Sequence, residues 1–266
     1  MKDIMNFIKT KDFEEFLVRI KQELKQDLDV PSIVEDVKSK NEIFHEKFMP
    51  LWYDSIKENF DNPAYWIYGE DLYLGEVFIC WKKYSRHYLR ELGKFMKKEP
   101  EHFSDINKIL DLGCGLGFST VGFSETFPEA KCYGTNIKGT LQWKVNELVF
   151  EDNPNCEMVD GNLNAPGNFD IVFASEFFEH LTNPNEFLQQ ALFQYSPRLF
   201  IFANTFSPKA IGHFNEYYYK GERMDARKTG RMFGQILREN GYKRVETGFF
   251  NGRPCIYEKV ESRQLF

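Results

Sequence analysis

The sequence lacks any long apolar run, any excess of positive charge and any pairing pattern among its cysteines. No uninterrupted apolar stretch approaches the roughly 20 residues that a membrane-spanning helix needs, so we expect no membrane partner. The formal net charge of −6 argues against a protein that coats nucleic acid. The five cysteines form no C-x-x-C pair and no metal-like cluster. We therefore expect reduced thiols, no metal site and a cytoplasmic location.

The first nine residues lack the features of a secretory leader. They read Met-Lys-Asp-Ile-Met-Asn-Phe-Ile-Lys, with an acidic residue near the start and no long apolar core. A signal peptide combines a basic start with an apolar segment of roughly 7–15 residues. We therefore expect that this segment is not a signal peptide.

The sequence changes its periodicity near residue 105. Before that point, apolar side chains recur at three- and four-residue spacing, which predicts amphipathic helices, including a long one from Leu72 to Lys98. After it, strand-like and helix-like segments alternate, which indicates a parallel sheet covered by helices. We predict a helical N-terminal extension, 1–104, followed by an α/β domain, 105–266.

The α/β part predicts five parallel strands followed by a terminal β-hairpin. The dipeptide Asn251-Gly252, between the last two predicted strands, is typical of a tight hairpin turn. Predicted strands are Lys108–Leu112, Lys131–Ile137, Glu157–Asp160, Phe169–Ala174, Leu199–Asn204, Val245–Phe250 and Cys255–Lys259, and predicted helices lie near 118–127, 139–151, 184–195 and 226–240.

A glycine-rich loop at 113–117 is the most informative segment of the chain. A short apolar run ends at Gly113, Gly115 and Gly117, and a helical pattern begins directly afterwards. Glycine lets a ligand approach the backbone closely, and the start of a helix presents N–H groups to it. The carboxylate of Asp111 beside the loop favours a ligand that carries positive charge. The spacing is G-x-G-x-G, whereas dinucleotide sites use G-x-G-x-x-G, and there is no G-K-[ST] phosphate loop.

Three segments in the expected order resemble the class I S-adenosylmethionine-dependent methyltransferases. Ile-Leu-Asp-Leu-Gly-Cys-Gly-Leu-Gly at 109–117 resembles the first motif of that family, and Phe-Asp-Ile-Val-Phe-Ala-Ser-Glu-Phe-Phe-Glu-His-Leu at 169–181 resembles its fourth-strand segment. The terminal β-hairpin is the third shared feature. The resemblance covers residues 105–260. It implies a Rossmann-like seven-stranded sheet with helices on both faces, S-adenosyl-L-methionine as cofactor and methyl transfer as activity.

The resemblance also implies where the cofactor binds. The loop glycines would approach its methionine part, and the carboxylate before them would lie near its amino group. Asn136 stands where the family usually has an acid on the ribose hydroxyls, and Asn162 stands where an aspartate often faces the adenine, with Asp160 as an alternative. A carboxamide cannot supply a charged bidentate grip. The predicted cofactor-binding residues are Asp111, Gly113, Cys114, Gly115, Gly117, Asn136, Ile137, Asn162, Ser175 and Glu176.

The predicted catalytic residues follow the fourth and fifth strands. His180 would face the acceptor, or would be a structural histidine held by a backbone carbonyl. His213 could accept a proton, or the aromatic segment around it could close the top of the sheet. The predicted catalytic residues are His213, His180, Glu179 and Tyr217.

Two features of the N-terminal extension each allow two interpretations. A basic row at four-residue spacing is either a phosphate-binding stripe or a solvated helix face; its members are Lys82, Arg86, Arg90, Lys94 and Lys98. An aromatic group is either a lid over the site or an interhelical core; its members are Tyr65, Trp66, Tyr68 and Tyr73. The extension as a whole is predicted to be a substrate cap or a homodimer contact.

Three functions are open on the sequence alone. The first is methyl transfer to an oxygen or nitrogen of a small-molecule acceptor. The second is methylation of a nucleotide or nucleic acid, although Ser-Glu-Phe-Phe follows the fourth strand where amino-directed DNA methylation uses [DNS]-P-P-[FYW]. The third is cofactor binding without catalysis, which is consistent with Asn136 and Asn162.

Overall fold

The computed structural model of the chain describes residues 10–207 and 210–260. Residues 1–9, which we expect not to form a signal peptide, lie outside the described residues. The helices are α1 Thr10–Glu23, α2 Val30–Lys38, α3 Glu42–Glu58, α4 Asp71–Cys80, α5 Arg86–Lys98, α6 Phe118–Thr126, α7 Leu141–Glu151, α8 Pro184–Tyr195 and α9 Ala226–Glu239. The strands are β1 Lys108–Leu112, β2 Lys131–Asn136, β3 Cys156–Asp160, β4 Ile171–Ser175, β5 Leu199–Ala203, β6 Glu216–Tyr219, β7 Glu222–Asp225, β8 Tyr242–Arg244 and β9 Cys255–Lys259.

A seven-stranded sheet has the order β3-β2-β1-β4-β5-β9-β8. The first five strands are parallel to their neighbours, and β9 pairs antiparallel with both β5 and β8. The chain order reverses between β1 and β4, where an open parallel sheet forms a crevice at the carboxyl ends of its strands. The predicted fold class, five parallel strands followed by an antiparallel pair, is confirmed.

The predicted strand Val245–Phe250 is wrong. Pairing with β9 begins earlier, at β8, and the chain leaves the sheet soon after Val245. Gly248 has a φ of +68°, which interrupts an extended chain, and Phe249 turns back to pack on Phe95, with ring centroids 5.7 Å apart. Asn251 has a left-handed φ of +55°, but its turn lies in a longer loop and not in a two-residue hairpin.

The two faces of the sheet bury alternate residues of the same strands. In β1, Leu110 and Leu112 join a cluster with α8 and α9, whereas Ile109 joins a cluster on the opposite face. That second cluster includes Leu92 and Phe95 of α5. A helix from the predicted N-terminal extension therefore covers one face of the sheet together with α6.

The remaining N-terminal helices pack beside the carboxyl ends of the strands. Phe16 of α1 contacts Phe118 at the start of α6, with ring centroids 5.4 Å apart. Farther along, Trp52 of α3 donates its indole N–H to the backbone oxygen of His213 at 3.0 Å. Because these contacts are buried, the helices are fixed above the crevice by the same apolar clusters that hold α6 and the segment before β6.

The predicted long helix over 72–98 is continuous from α4 to α5 but contains one wider turn. Residues Trp81–Ser85 form a π-helical segment, in which the N–H of Arg86 bonds to the oxygen of Trp81. Such single π turns reorient side chains and occur frequently at functional sites. Among the described residues, no helix is both long enough and apolar enough to cross a membrane.

Candidate active site

A cavity of about 640 Å³ lies at the carboxyl ends of β1, β2 and β4. Its floor is the loop that follows β1, and its roof is formed by residues between α3 and α5. The size falls within the 300–1,000 Å³ that is usual for sites that bind small molecules. Its position coincides with the reversal of strand order in the sheet, where open α/β folds bind ligands.

The loop after β1 is held from below by Thr135 of β2. The N–H of Gly113 donates to Thr135 Oγ1 at 2.9 Å, and the N–H of Cys114 donates to the Thr135 backbone oxygen at 3.1 Å. Thr135 Oγ1 in turn donates to Asn162 Oδ1 at 2.7 Å. Thr135 thus accepts two of the loop's N–H groups, and this one threonine fixes both the loop and the orientation of Asn162.

Asp111 lies at the end of β1 with 2% of its surface exposed. Ser119 and Thr120, in the first turn of α6, donate their hydroxyls to its Oδ2 at 2.5 and 2.7 Å. Burial raises the pKa of Asp111 to about 6, and these two hydrogen bonds oppose the rise. The protein therefore holds the carboxyl group by one of its oxygens, Oδ2. Asp111 nevertheless forms part of the cavity wall.

The two asparagines predicted at the cofactor site both line the cavity. Asn136 Nδ2 donates to the backbone oxygen of Gly115 at 3.1 Å, and its Oδ1 accepts the N–H of Ile137 at 2.9 Å. A carboxylate could not make the first of these bonds, because it has no donor. Asp160, the alternative to Asn162, accepts the N–H of Lys138 at 2.9 Å and is not part of the cavity wall.

The glycines of the loop meet different neighbours. A Cβ at Gly113 would collide with the ring of Phe177, and one at Gly117 would lie 2.7 Å from the ring of Phe150. A Cβ at Gly115 would lie 3.0 Å from a methyl group of Val77. All three glycines have positive φ. Gly117 therefore serves the packing of the loop on α7 and does not line the cavity, whereas the other two do.

The segment after β4 forms one side of the cavity. Ser175 Oγ lies 3.0 Å from Ser85 Oγ in the π segment, which ties the strand to the helices above it. Glu176 follows with a left-handed φ of +51°, which is uncommon for a residue other than glycine, asparagine or aspartate. Burial raises the pKa of Glu176, and nearby Arg253 opposes the rise.

The roof of the cavity is aromatic. The 3₁₀ turn Tyr65–Gly69 and the start of α4 bring four rings to the wall, those of Tyr65, Trp66, Tyr68 and Tyr73. Tyr68 stacks on Tyr73, with ring centroids 4.8 Å apart, and Gln142 Nε2 donates to the Tyr68 backbone oxygen at 2.6 Å. The aromatic group is both a cover of the cavity and part of the core between the helices.

His180 reaches the cavity through a bond to that roof. Its Nδ1 lies 3.0 Å from the hydroxyl of Tyr68. Burial lowers the pKa of His180 to about 3, and the neighbouring His213, whose ring is perpendicular at 5.0 Å, lowers it further. His180 is therefore neutral and a weak proton acceptor.

The three other residues predicted as catalytic lie behind the cavity wall. His213 Nδ1 donates to the Ser207 oxygen at 2.6 Å, and burial lowers its pKa. Glu179 is fully buried and accepts the N–H of Thr205 at 2.8 Å. Tyr217 is also fully buried and donates to the Glu179 backbone oxygen at 3.3 Å.

Most of the predicted site residues come together at this cavity. Those on its wall are Asp111, Gly113, Cys114, Gly115, Asn136, Ile137, Asn162, Ser175, Glu176 and His180. Apart from Tyr73, the residues that α4 and the π segment contribute were not predicted from the sequence, including Glu76, Cys80 and Ser85. One signal was present: α4 is apolar on nearly all sides, as is typical of a helix that is covered on more than one face.

Comparisons with known proteins agree with this architecture. Residues 110–192 match a family model described as "Methyltransferase domain". The chain is 22% identical over 149 residues to a malonyl-[acyl-carrier protein] O-methyltransferase of Halalkalibacterium halodurans, an alignment that covers 53% of this chain and 55% of that protein. The chain therefore spans about half the length of that curated relative.

Two solved structures resemble most of the fold. An O-methyltransferase family protein from Burkholderia thailandensis gives a TM-score of 0.54 at 13% identity, covering 86% of this chain and 72% of that one. The structure of human N-acetylserotonin methyltransferase in complex with SAM gives a TM-score of 0.53 at 12% identity. That match covers 86% of this chain and 70% of the human one. These two likenesses are likenesses of fold, and the matched family model, the strand order and the glycine loop together support a methyltransferase domain of the class I S-adenosylmethionine-dependent type over residues 110–192.

Proposed function

We propose that this protein transfers the methyl group of S-adenosylmethionine to an oxygen or nitrogen of a small-molecule acceptor. The observation that carries the proposal is the cavity of about 640 Å³, which has the glycine loop as its floor and an aromatic roof. A roof restricts the acceptor to a molecule that fits inside the cavity beside the cofactor.

The groups on the cavity wall suit this cofactor. Asp111, which lies on the cavity wall and is held on one carboxyl oxygen by α6, would face its amino group. Asn136 and Asn162 would face the ribose and the adenine, and the side chain of Ile137, which is 62% exposed, offers the nucleoside an apolar surface. The bound cofactor would supply an activated methyl group on a positively charged sulfur.

The role of the protein itself is to align the acceptor and to exclude water. Methyl transfer is a displacement in line with the bond that breaks, so catalysis depends chiefly on position. Tyr68, held by His180 and Gln142, and Ser85, held by Ser175, fix the roof relative to the floor. These ties favour one arrangement of the two reactants.

The basic row on the extension supports a small-molecule acceptor over a nucleic acid. Lys94 bonds to Glu91 at 2.8 Å, and Lys98 lies 3.5 Å from Glu99, both on the solvent side of α5. The residues of this row are not part of the cavity wall. A row that lies off the cavity wall and whose last three members, Arg90, Lys94 and Lys98, are within 4 Å of acids fits a solvated helix face.

Calorimetry tests the binding half of the proposal. The protein is titrated with S-adenosylmethionine and with its demethylated product, S-adenosylhomocysteine. Gly115→Asp places a side chain in the approach space at a φ of +57°, and we expect the affinity for both to fall by at least about tenfold. Gly221→Asp, at a similar φ of +78° in the β6–β7 turn with open space around it, is the matched control and keeps its affinity.

Product formation tests the catalytic half. Acceptors from several chemical classes, oligonucleotides included, are incubated with the protein and the methyl donor, and methylated products are detected by mass spectrometry. Methylation confined to oligonucleotides, or tight cofactor binding with no methylation of any class, would contradict the proposal.

A further inference from the structure

The charges on the cavity wall all have one sign. Among the described residues that line it, three are carboxylic acids, Glu76, Asp111 and Glu176, and none is lysine or arginine. The cofactor carries an amino group, a sulfonium and one carboxylate, and so brings a net charge of +1. An anionic acceptor would have no cationic side chain to bind among these residues.

Two of the three acids are engaged by other protein groups. Asp111 accepts two hydroxyl donors from α6. Glu76 accepts from Asn41 Nδ2, and its Oε2 lies 3.4 Å from His45 Nε2. This pairing raises the pKa of His45, so part of the charge of Glu76 is balanced inside the protein. The third acid, Glu176, has Glu179, Arg253 and Lys83 as neighbours, but none of these three lies on the cavity wall, so its carboxyl is the one that can meet a ligand from the cavity side.

The histidines are poorly placed to accept a proton from the acceptor. His180 has Nδ1 engaged with the Tyr68 hydroxyl, and burial and His213 keep its pKa far below neutral. His213 lies behind the wall with Nδ1 on the Ser207 oxygen. Proton transfer from an acceptor therefore needs another group.

Glu176 is placed by the backbone as such a group. It lies between Ser175 and Phe177, and all three residues are on the cavity wall. Its left-handed φ of +51° turns the chain directly after the carboxyl end of β4. Uncommon backbone conformations of this kind concentrate at functional sites. On the assumption that the proposed function holds, we infer that the acceptor is an amine and that Glu176 binds its ammonium form and takes its proton.

The roof of the cavity fits the same class of acceptor. The rings of Tyr65, Trp66, Tyr68 and Tyr73 surround the side opposite the glycine loop. Aromatic faces attract cations, and the attraction grows where water is excluded. A cationic acceptor would also balance the negative charge of Glu176, which has no positive charge of the cofactor assigned to it.

The chemical step is balanced with these groups alone. One proton moves from the ammonium nitrogen to a carboxylate oxygen of Glu176. The freed lone pair of the nitrogen forms a bond to the methyl carbon as the carbon–sulfur bond breaks, and the electron pair of that bond stays on sulfur. The positive charge passes from sulfur to the methylated nitrogen, and the proton on Glu176 later leaves to water.

Groups on several elements set the proton affinity of Glu176. Burial raises its pKa to about 7, and the charge of Arg253, the hydrogen bond with Glu179 and the charge of Lys83 lower it. Cys80 and Tyr88 also face it closely enough for its charge to raise their own pKa values. The group therefore titrates in the range where a base is effective at neutral pH.

Binding of amines to the complex with S-adenosylhomocysteine tests the inference without turnover. Alkyl and arylalkyl primary amines, which are cations throughout this test, are each compared with their hydroxyl and carboxylate counterparts by calorimetry. We expect amines to bind best, with an affinity that rises about tenfold from pH 6 to pH 8 as Glu176 ionises. If S-adenosylhomocysteine binds but no amine binds to the complex, the inference is overturned.

Substitution of Glu176 assigns the effect to this residue. In Glu176→Gln we expect amine affinity to fall at least tenfold and its pH dependence to disappear, while affinity for S-adenosylhomocysteine changes less than threefold. Glu176→Asp restores part of the amine affinity. Glu157→Gln, on the exposed side of β3, is the matched control and leaves both affinities unchanged. A loss of cofactor affinity in Glu176→Gln as large as the loss of amine affinity overturns the inference.

Activity separates this inference from the function on which it rests. Methylation of hydroxyl or carboxylate compounds alone overturns the amine assignment and leaves methyl transfer standing. If neither S-adenosylmethionine nor S-adenosylhomocysteine binds the wild-type protein, the proposed function itself fails and the inference fails with it.

Discussion

Gly212 occupies the point where the Tyr68 hydroxyl and His180 meet. A Cβ on this residue would collide with both the Tyr68 oxygen and His180 Nδ1, and its φ of +87° disfavours any side chain. We expect Gly212→Ala to lower the free energy of unfolding by about 2–4 kcal/mol, since overpacking adds to the backbone strain. Urea denaturation measures the loss.

A second glycine separates these two causes. Gly221 has a φ of +78° and open space around it. We expect Gly221→Ala to lower the free energy of unfolding by about 1 kcal/mol, the cost of the left-handed backbone alone. Equal losses in the two variants would show that Tyr68 and His180 do not press on Gly212.

Single residues of the site were predictable from sequence only where local spacing carries the information. The loop glycines and Asn136 follow strands directly, so their place at the end of the sheet could be read from the order of residues. Tyr68 was predicted only as one of an aromatic group with two possible roles, and neither its hydrogen-bond partner nor that of Thr135 could be predicted. Their partners are 112 and 27 positions away along the chain, and only the fold brings them together.

Helix α9 begins at a side-chain cap. Asp225 Oδ1 accepts the N–H of Lys228 at 2.7 Å, and the helix then buries Phe233, Ile236 and Leu237 against the sheet. We expect Asp225→Ala to lower the free energy of unfolding by about 1 kcal/mol, because an N–H at the start of the helix loses its partner. Chemical denaturation of the variant measures the change.

The matched control for that prediction keeps an acceptor at the same position. Asparagine caps helices about as well as aspartate, so we expect Asp225→Asn to change stability by a few tenths of a kcal/mol at most. If both variants lose the same stability, the charge of Asp225 matters and the cap does not.

Elements with a clear pattern were predicted closely, and those shaped by distant contacts were not. The predicted strand Lys108–Leu112 and the predicted helix over 184–195 match the structure at both ends. The strand predicted at Val245–Phe250 failed because Gly248 turns the chain and Phe249 packs on α5. The β6–β7 hairpin was not predicted, since its residues show no clear alternation of apolar and polar side chains.

Across the whole molecule, the N-terminal helices and the sheet share their apolar clusters. Sequence periodicity predicted the helices but could not show which surfaces they cover, because an amphipathic stripe does not identify its partner. Leu92 of α5 lies with the strands, and Phe44 of α3 lies with Phe214. The roof of the cavity therefore depends on the folding of the entire described chain.

Buried titratable groups near the cavity make the stability of the ligand-free protein depend on pH. Burial raises the pKa of Glu176 to about 7 and that of Glu179 to about 8, and the charge of each affects the other. A raised carboxyl pKa means that the folded state binds more protons than the unfolded state. Stability then falls as pH rises from about 4.3, the value in an unfolded chain, to the folded value.

The buried histidines change the stability in the opposite direction, and they do so over a lower pH range. The pKa of His180 falls to about 3 on folding, and that of His213 is also lowered. For these groups the unfolded state binds more protons, so stability rises with pH until about 6.5, where an unfolded histidine has lost its proton. Above that value the effect of Glu176 and Glu179 remains, and the raised pKa of His45, caused chiefly by its hydrogen bond with Glu76, adds to the fall in stability.

We therefore expect the free energy of unfolding of the ligand-free protein to fall by about 1–2 kcal/mol between pH 6.5 and pH 8. Glu179→Gln keeps an acceptor for the Thr205 N–H but cannot ionise, so this variant loses most of the slope. Glu157→Gln, whose carboxyl is exposed on β3, keeps the slope of the wild type. Urea denaturation at intervals of half a pH unit measures all three proteins. A wild-type stability that does not fall across this range would show that Glu176 and Glu179 are already ionised at neutral pH, and Glu176 would then carry its full charge into the cavity without a cationic ligand.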